Sequence, residues 1–150
     1  SDTIWPSTRI TPMTIITNSL LIAREAAQFP ELHLFVTGGS YQGWADALLG
    51  PTAIATLQGL DPDFCVLSAS GIAQGRCFHP YEDVVAVKRA MLDQARTRVL
   101  LLDHTKLARK ALHAFARLDE FDHVVVDAAT RDPEVSQLRE WGARVAVATE

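Results

Sequence analysis

The sequence predicts an α/β fold, a mostly parallel twisted sheet with helices on both faces, and three observations carry that prediction. Short aliphatic or β-branched runs alternate with stretches of helical periodicity, the rhythm of βαβ units. Val99-Leu100-Leu101-Leu102 is apolar at four successive positions, as in a strand buried on both faces rather than one shared with water. That run stops at Asp103-His104-Thr105-Lys106, and polar residues at the C-terminal ends of such strands lie where open α/β sheets bind small molecules.

The elements follow in order. Thr14-Ile15-Ile16-Thr17 is a β-branched strand, and Asn18 or Ser19 caps a helix over Leu20 to Ala27 that Pro30 closes. His33 to Thr37 is a strand stopped by Gly38-Gly39. A loop with Tyr41 and Trp44 leads to a helix begun by Pro51 and ended before Gly59. Asp63 to Leu67 is a third strand running into Ser68-Ala69-Ser70-Gly71, and a polar loop containing Cys77 follows to Pro80. Glu82 to Arg96 is the longest helix, with Val84, Val85, Val87, Met91, Leu92 and Ala95 as its apolar stripe. Val99 to Leu102, Val124 to Asp127 and Arg144 to Ala148 are the remaining strands, the last near an edge, with a helix over Glu134 to Trp141. Ala111 to Leu118 reads equally as a helix or as an extended piece at the rim. Residues 1–13, with two prolines and little periodicity, read as a tail or a truncated first element, and residues 14–150 as one domain.

Composition narrows the function. With 48% hydrophobic and 21% charged residues, the 150-residue chain has the balance of a globular domain large enough for a real core. No run approaches the length of a membrane span, and Ser1-Asp2-Thr3-Ile4 has no basic start to a signal peptide. Cys65 reads as a buried hydrophobe, and two cysteines with no framework spacing suit a reducing cytoplasm. The net charge of −4, from 14 basic and 18 acidic residues, argues against this segment gripping a nucleic-acid backbone. The basic groups from Lys88 to Arg98 and from Lys106 to Lys110 read mostly as solvated helix faces. The five histidines show no metal-ligand spacing, and Trp5, Trp44 and Trp141 are expected in the core or at a subunit interface.

Four predicted strands end in small or polar residues: Thr17-Asn18-Ser19, Thr37-Gly38-Gly39, Ser68 to Gly71, and Asp103 to Lys106. In a parallel sheet these ends share one edge. Hydroxyls and free N–H groups at a helix start suit an anion, Gly38 and Gly39 admit a close backbone approach, and Lys106 supplies a charge to which Lys88 or Arg89 adds another. Asp103 and Glu82 are candidates for sugar hydroxyls. Each has a plainer reading: a helix cap, a turn, a first-turn acid, a solvated lysine, a surface pair of Asp103 with Lys106.

These pieces, in their order and spacing, resemble the C-terminal effector domain of the DeoR family of bacterial transcriptional repressors. The likeness rests on Ile15 to Leu20, Val36 to Gly39, Asp63 to Val66 with Ser70-Gly71-Ile72, Glu82 with Val87 to Met91, Leu102 to Lys106, and Phe121 to Asp127. It implies a ribose-5-phosphate isomerase-like fold and a sugar-phosphate effector, with no cofactor. It also implies that Thr17, Asn18 and Ser19 lie near the phosphate, that Lys106 contacts it, and that Gly38, Gly39, Gly71, Glu82, Lys88 and Asp103 shape the rest of the pocket. The family's N-terminal winged helix-turn-helix, which reads operator DNA, and the strand and hydroxyl-bearing loop that usually precede Ile15 have no counterpart here; Pro6 to Arg9 reads as a vestige of that loop. A homo-oligomer is expected, since paired readers bind symmetric operators. Two alternatives stand beside this sensor: a sugar-phosphate isomerase with Glu82 or Asp103 as general base, and an oligomerisation domain that binds nothing.

Overall fold

A computed structural model describes residues 12–149, so the reading of Pro6 to Arg9, and with it Trp5, lies outside the described residues. The chain divides into two compact units, Ser1–Thr56 and Leu57–Glu150.

In the first unit, β1 (Met13–Thr17) and β2 (Leu32–Val36) pair in parallel, joined by the seven-residue helix α1 (Leu20–Ala26). The crossover is short because Ser19 caps α1 at once, its hydroxyl accepting the Ile22 N–H at 3.2 Å. The segment read as a loop around Tyr41 is instead an antiparallel hairpin, β3 (Ser40–Gln42) with β4 (Ala47–Leu49). Its strands are too short to show alternation. Trp44 is exposed rather than in the core. Helix α2 (Pro51–Gln58) follows.

The second unit is built on a parallel sheet of four strands, in the order β11 (Val145–Val147), β10 (His123–Val126), β8 (Thr97–Leu102) and β5 (Phe64–Ser68). The last strand of the chain sits at the edge. Cys65, Leu67, Leu100, Leu102, Val124 and Val126 point to one face and form the centre of the core, with Leu92 of α3 (Glu82–Gln94) and Val135 and Leu138 of α4 (Asp132–Glu140). Phe64, Val66 and Leu101 lie on the opposite face and are exposed.

A second sheet, β6 (Gly71–Ala73), β7 (Arg76–His79) and β9 (His113–Arg117), is antiparallel. It corrects two expectations. The segment 71–80 is a hairpin, not a loop, because Gln74 and Gly75 both adopt positive φ (51° and 77°), the conformation of a tight two-residue turn. Cys77 is accordingly in mid-strand and fully buried, and both cysteines are free thiols that burial pushes up, to about 11 for Cys65 and about 12 for Cys77. The segment left open between helix and extended piece is β9, pairing with β7 across a bulge at Cys77 and Phe78. Trp141, at the end of α4, packs partly buried against the core. No described helix is long and apolar enough to cross a membrane.

Candidate functional site

The candidate residues of the first unit sit at the ends of β1 and β2, and most already serve the local fold. The Thr17 hydroxyl accepts the Ser19 N–H at 3.0 Å, and the Thr17 carbonyl accepts the Thr37 N–H at 3.1 Å. The Asn18 amide donates to the Leu48 carbonyl at 2.9 Å, tying the strand end to the β3–β4 hairpin. Gly38 (φ 75°) and Gly39 (φ 123°) make the chain turn after β2. At Gly39 a Cβ would also lie 2.8 Å from the Leu49 carbonyl oxygen, so the glycine is required by space as well as by dihedral.

In the second unit the ends of the neighbouring strands β5 and β8 are joined. Ile72 forms a parallel bridge with Leu107, and a Cβ on Gly71 would lie 2.6 Å from the Arg109 carbonyl oxygen. Gly71 and the turn after β8 are thus packed together, and the missing side chain is what lets them approach.

That turn, His104–Lys106, is a single 3-10 turn rather than part of a basic helix face. Asp103 caps it, accepting from the Thr105 N–H at 2.8 Å and from the Thr105 hydroxyl. These bonds hold the Asp103 carboxyl below its usual range. The Lys106 ammonium is 3.9 Å from Asp103, a loose pair that leaves the lysine a third exposed.

Lys88 differs from the solvated lysine its helical position suggests. It is half-buried on α3, donates to the Ser68 carbonyl at the end of β5 at 2.7 Å, and lies 5.6 Å from the Phe115 ring centroid. Burial holds its pKa below 10.5. Arg89, beside it, is structural: its guanidinium donates to Glu120, Asp93 and the Phe115 carbonyl. Glu82, the first residue of α3, is exposed.

Sequence reasoning missed His104 with Asp127. Asp127 ends β10 as Asp103 ends the adjacent β8, and its Oδ2 is 2.8 Å from His104 Nδ1 while Oδ1 accepts the Thr130 hydroxyl at 2.9 Å. The repeated pattern of a valine or leucine run closed by aspartate is the available signal. Among the described residues no group of three or more His, Cys, Asp or Glu could hold a metal ion.

The Asp127 carboxylate raises the His104 pKa above 6.5, and His104 in turn lowers that of Asp127 below 3.8. The signs give a window. Stability from His104 is present below its unfolded pKa and lost as pH rises through the higher folded value; that from Asp127 is present above its unfolded pKa and lost as pH falls through the lower one. The pair therefore contributes most between these limits. Proton NMR of the His104 ring should show a midpoint above 6.5, and Asp127→Asn should bring it down; an unchanged midpoint in the variant would refute the pairing.

The family profile of the DeoR C-terminal sensor domain matches residues 7–128. The chain is similar to the HTH-type transcriptional repressor GlcR of Bacillus subtilis, 28% identical over 76% of this chain and 44% of that protein. It is similar to the L-fucose operon activator of Haemophilus influenzae, 30% identical over 81% of this chain and 49% of that protein. It is also similar to the uncharacterized HTH-type transcriptional regulator YgbI of Escherichia coli, 32% identical over 77% of this chain and 45% of that protein. The chain spans about half the length of these curated relatives.

Proposed function

The chain belongs to the DeoR C-terminal sensor domain family, and from that premise we propose that it senses a phosphorylated sugar and controls a DNA-binding winged helix-turn-helix within a longer, oligomeric, cytoplasmic transcriptional regulator. The similar proteins named as HTH-type repressor and regulator, and as an operon activator, support the regulatory half of this reading. The single observation that carries the ligand half is the packed pair of strand ends in the second unit. Gly71 and Ile72, after β5, pack against Leu107 and Arg109, after β8, at the C-terminal edge of a parallel sheet, with Lys106 in the turn just before and Lys88 donating to the Ser68 carbonyl at the end of β5.

On this reading Lys106 contacts the phosphate, Lys88 adds positive charge, Asp103 and Glu82 accept from sugar hydroxyls, and Gly71 sets the spacing. Within the first unit taken by itself, Thr17, Asn18, Ser19, Gly38 and Gly39 are a proposed set of anion contacts, through their remaining lone pairs and backbone N–H groups. Control of DNA binding then requires that the effector prefer one arrangement of the regulator over another, since equal affinity for both shifts nothing.

An isomerase would need a carboxylate ready to take a proton. Thr105 engages one Asp103 oxygen, Oδ1, and the relatives are named as regulators, so we favour a sensor. Calorimetric titration with five- and six-carbon sugar phosphates should give saturable binding that weakens at least tenfold in Lys106→Ala. Binding by no sugar phosphate would favour the oligomerisation domain, and turnover that is lost in Glu82→Gln or Asp103→Asn would favour the enzyme.

A further inference from the structure

Asp127 touches no candidate contact directly, yet it ties the turn that carries Lys106 to the neighbouring strand. It follows β10, which lies beside β8 in the parallel sheet. Its Oδ2 accepts the His104 N–H at 3.3 Å and lies 2.8 Å from His104 Nδ1, so one oxygen holds both the backbone and the ring of that residue. Its Oδ1 accepts the hydroxyl of Thr130, a buried residue whose N–H returns to the Asp127 carbonyl at 3.1 Å. The carboxylate is thus fixed from its own side before it reaches across.

The turn needs such an anchor. The bonds from Thr105 to Asp103, and from the Lys106 N–H to the Asp103 carbonyl at 3.1 Å, fold it on itself without fixing it to the sheet. The bridge of Leu107 with Ile72 holds its far end, and Asp127 holds its near end through His104.

The ring also brings a titratable charge. With Nδ1 facing a carboxylate, the Nδ1 proton stays in both states of the imidazole and Nε2 gains or loses the other. The hydrogen bond therefore outlasts the charge. Protonated, His104 joins Lys106 in offsetting Asp103 and Asp127; neutral, it leaves one negative charge in excess beside Lys106. The hydrogen bond to Asp127, with the further attraction of Asp127, Asp103 and, from α4, Glu134, outweighs desolvation and keeps the proton on to a higher pH than usual.

We propose that Asp127 and His104 are positioning residues for the effector, a clasp that holds the Lys106 turn to the end of β10 and makes anion affinity at that turn depend on the His104 proton. The dependence rests on the reading of Lys106 as an effector contact; the mechanical clasp does not. Because coupling is reciprocal, a bound anion should raise the His104 titration midpoint.

The test is calorimetry of the full 150-residue chain with ribose 5-phosphate and glucose 6-phosphate, from about pH 7 upward, where the phosphoryl group is already mostly dianionic. Affinity should fall about fivefold as His104 loses its proton. His104→Gln should flatten this profile, Asp127→Asn should move it to lower pH, and Asp127→Ala should weaken binding at every pH. A flat profile in the unmodified chain, or the same fall in a folded His104→Gln protein, overturns the proton dependence while leaving sugar sensing intact. Hydrogen exchange of the Lys106 amide reads the clasp without ligand. It should quicken about tenfold or more in Asp127→Ala and much less in Asp127→Asn, which keeps an acceptor oxygen. Equal exchange in the unmodified and Asp127→Ala chains overturns the clasp. Quickened exchange with neither sugar phosphate bound at any pH upholds the clasp and counts against the sugar-sensing reading.

Discussion

Leu100→Ala is expected to lower the unfolding free energy by about 3 kcal/mol, within the range for emptying a fully buried leucine site. Leu100 has no exposed surface and lies in the middle strand region of the parallel sheet, opposite Leu67 of β5 on one side and Val124 of β10 on the other. Both neighbours are held in register by backbone pairing, so the cavity cannot easily collapse. The adjacent Leu101 provides the control. Its side chain points to the other face and is 45% exposed, so Leu101→Ala should cost about 1 kcal/mol or less. Urea unfolding of both variants measures the contrast. Equal losses would show that the two faces of β8 are equally buried, contrary to this description.

Gly71→Ala carries the second large effect, because it couples stability to the candidate site. The added Cβ would meet the Arg109 carbonyl oxygen at 2.6 Å and its carbonyl carbon at 2.8 Å, both backbone atoms that a rotamer change cannot move. One chain must give way, at a cost of about 2 kcal/mol, typical of forced overpacking. The yielding segment follows Lys106 directly. The variant should therefore lose phosphate affinity beyond what its fold stability predicts, at temperatures where it remains folded. Chemical unfolding gives the first quantity and calorimetry the second. A variant as stable as the unmodified chain would contradict the packing of Gly71 on Arg109.

How far the sequence revealed these features depends on the range of the interactions involved. The parallel sheet was legible because Val99 to Leu102 and Val124 to Val126 are short aliphatic runs of strand length, each closed by an aspartate, although Leu101 within the first run faces outward and is exposed. The β6–β7 hairpin was hidden because its turn uses Gln74-Gly75, in which a glutamine adopts positive φ where asparagine or aspartate would have announced it. His113–Arg117 stayed ambiguous since Ala114 and Ala116 favour a helix while Phe115 suits a strand, and pairing with β7 decides the matter.

The candidate site divides likewise. Asp103 and Lys106 could be singled out from local pattern alone, and so could the cap at Ser19. What Lys88 touches could not: its carbonyl partner is 20 residues away and its ring neighbour is on a strand the pattern left open. His104 needed the knowledge that β8 and β10 are neighbours, which places Asp127 within 2.8 Å of its ring. Gly71 read as a loop glycine until the path of residues 107–109 supplied the reason for its missing side chain.

The central claim is that a phosphorylated sugar binds where the ends of β5 and β8 meet. Backbone amide NMR of the chain titrated with the tightest-binding sugar phosphate of the calorimetric panel locates that event directly. The account predicts saturable shifts concentrated in Ser68–Ile72, Asp103–Lys106 and the Lys88 turn of α3, with α4 near Val135 and Leu138 unmoved. Saturable shifts confined to other parts of the chain, or none at all with any sugar phosphate, would contradict it.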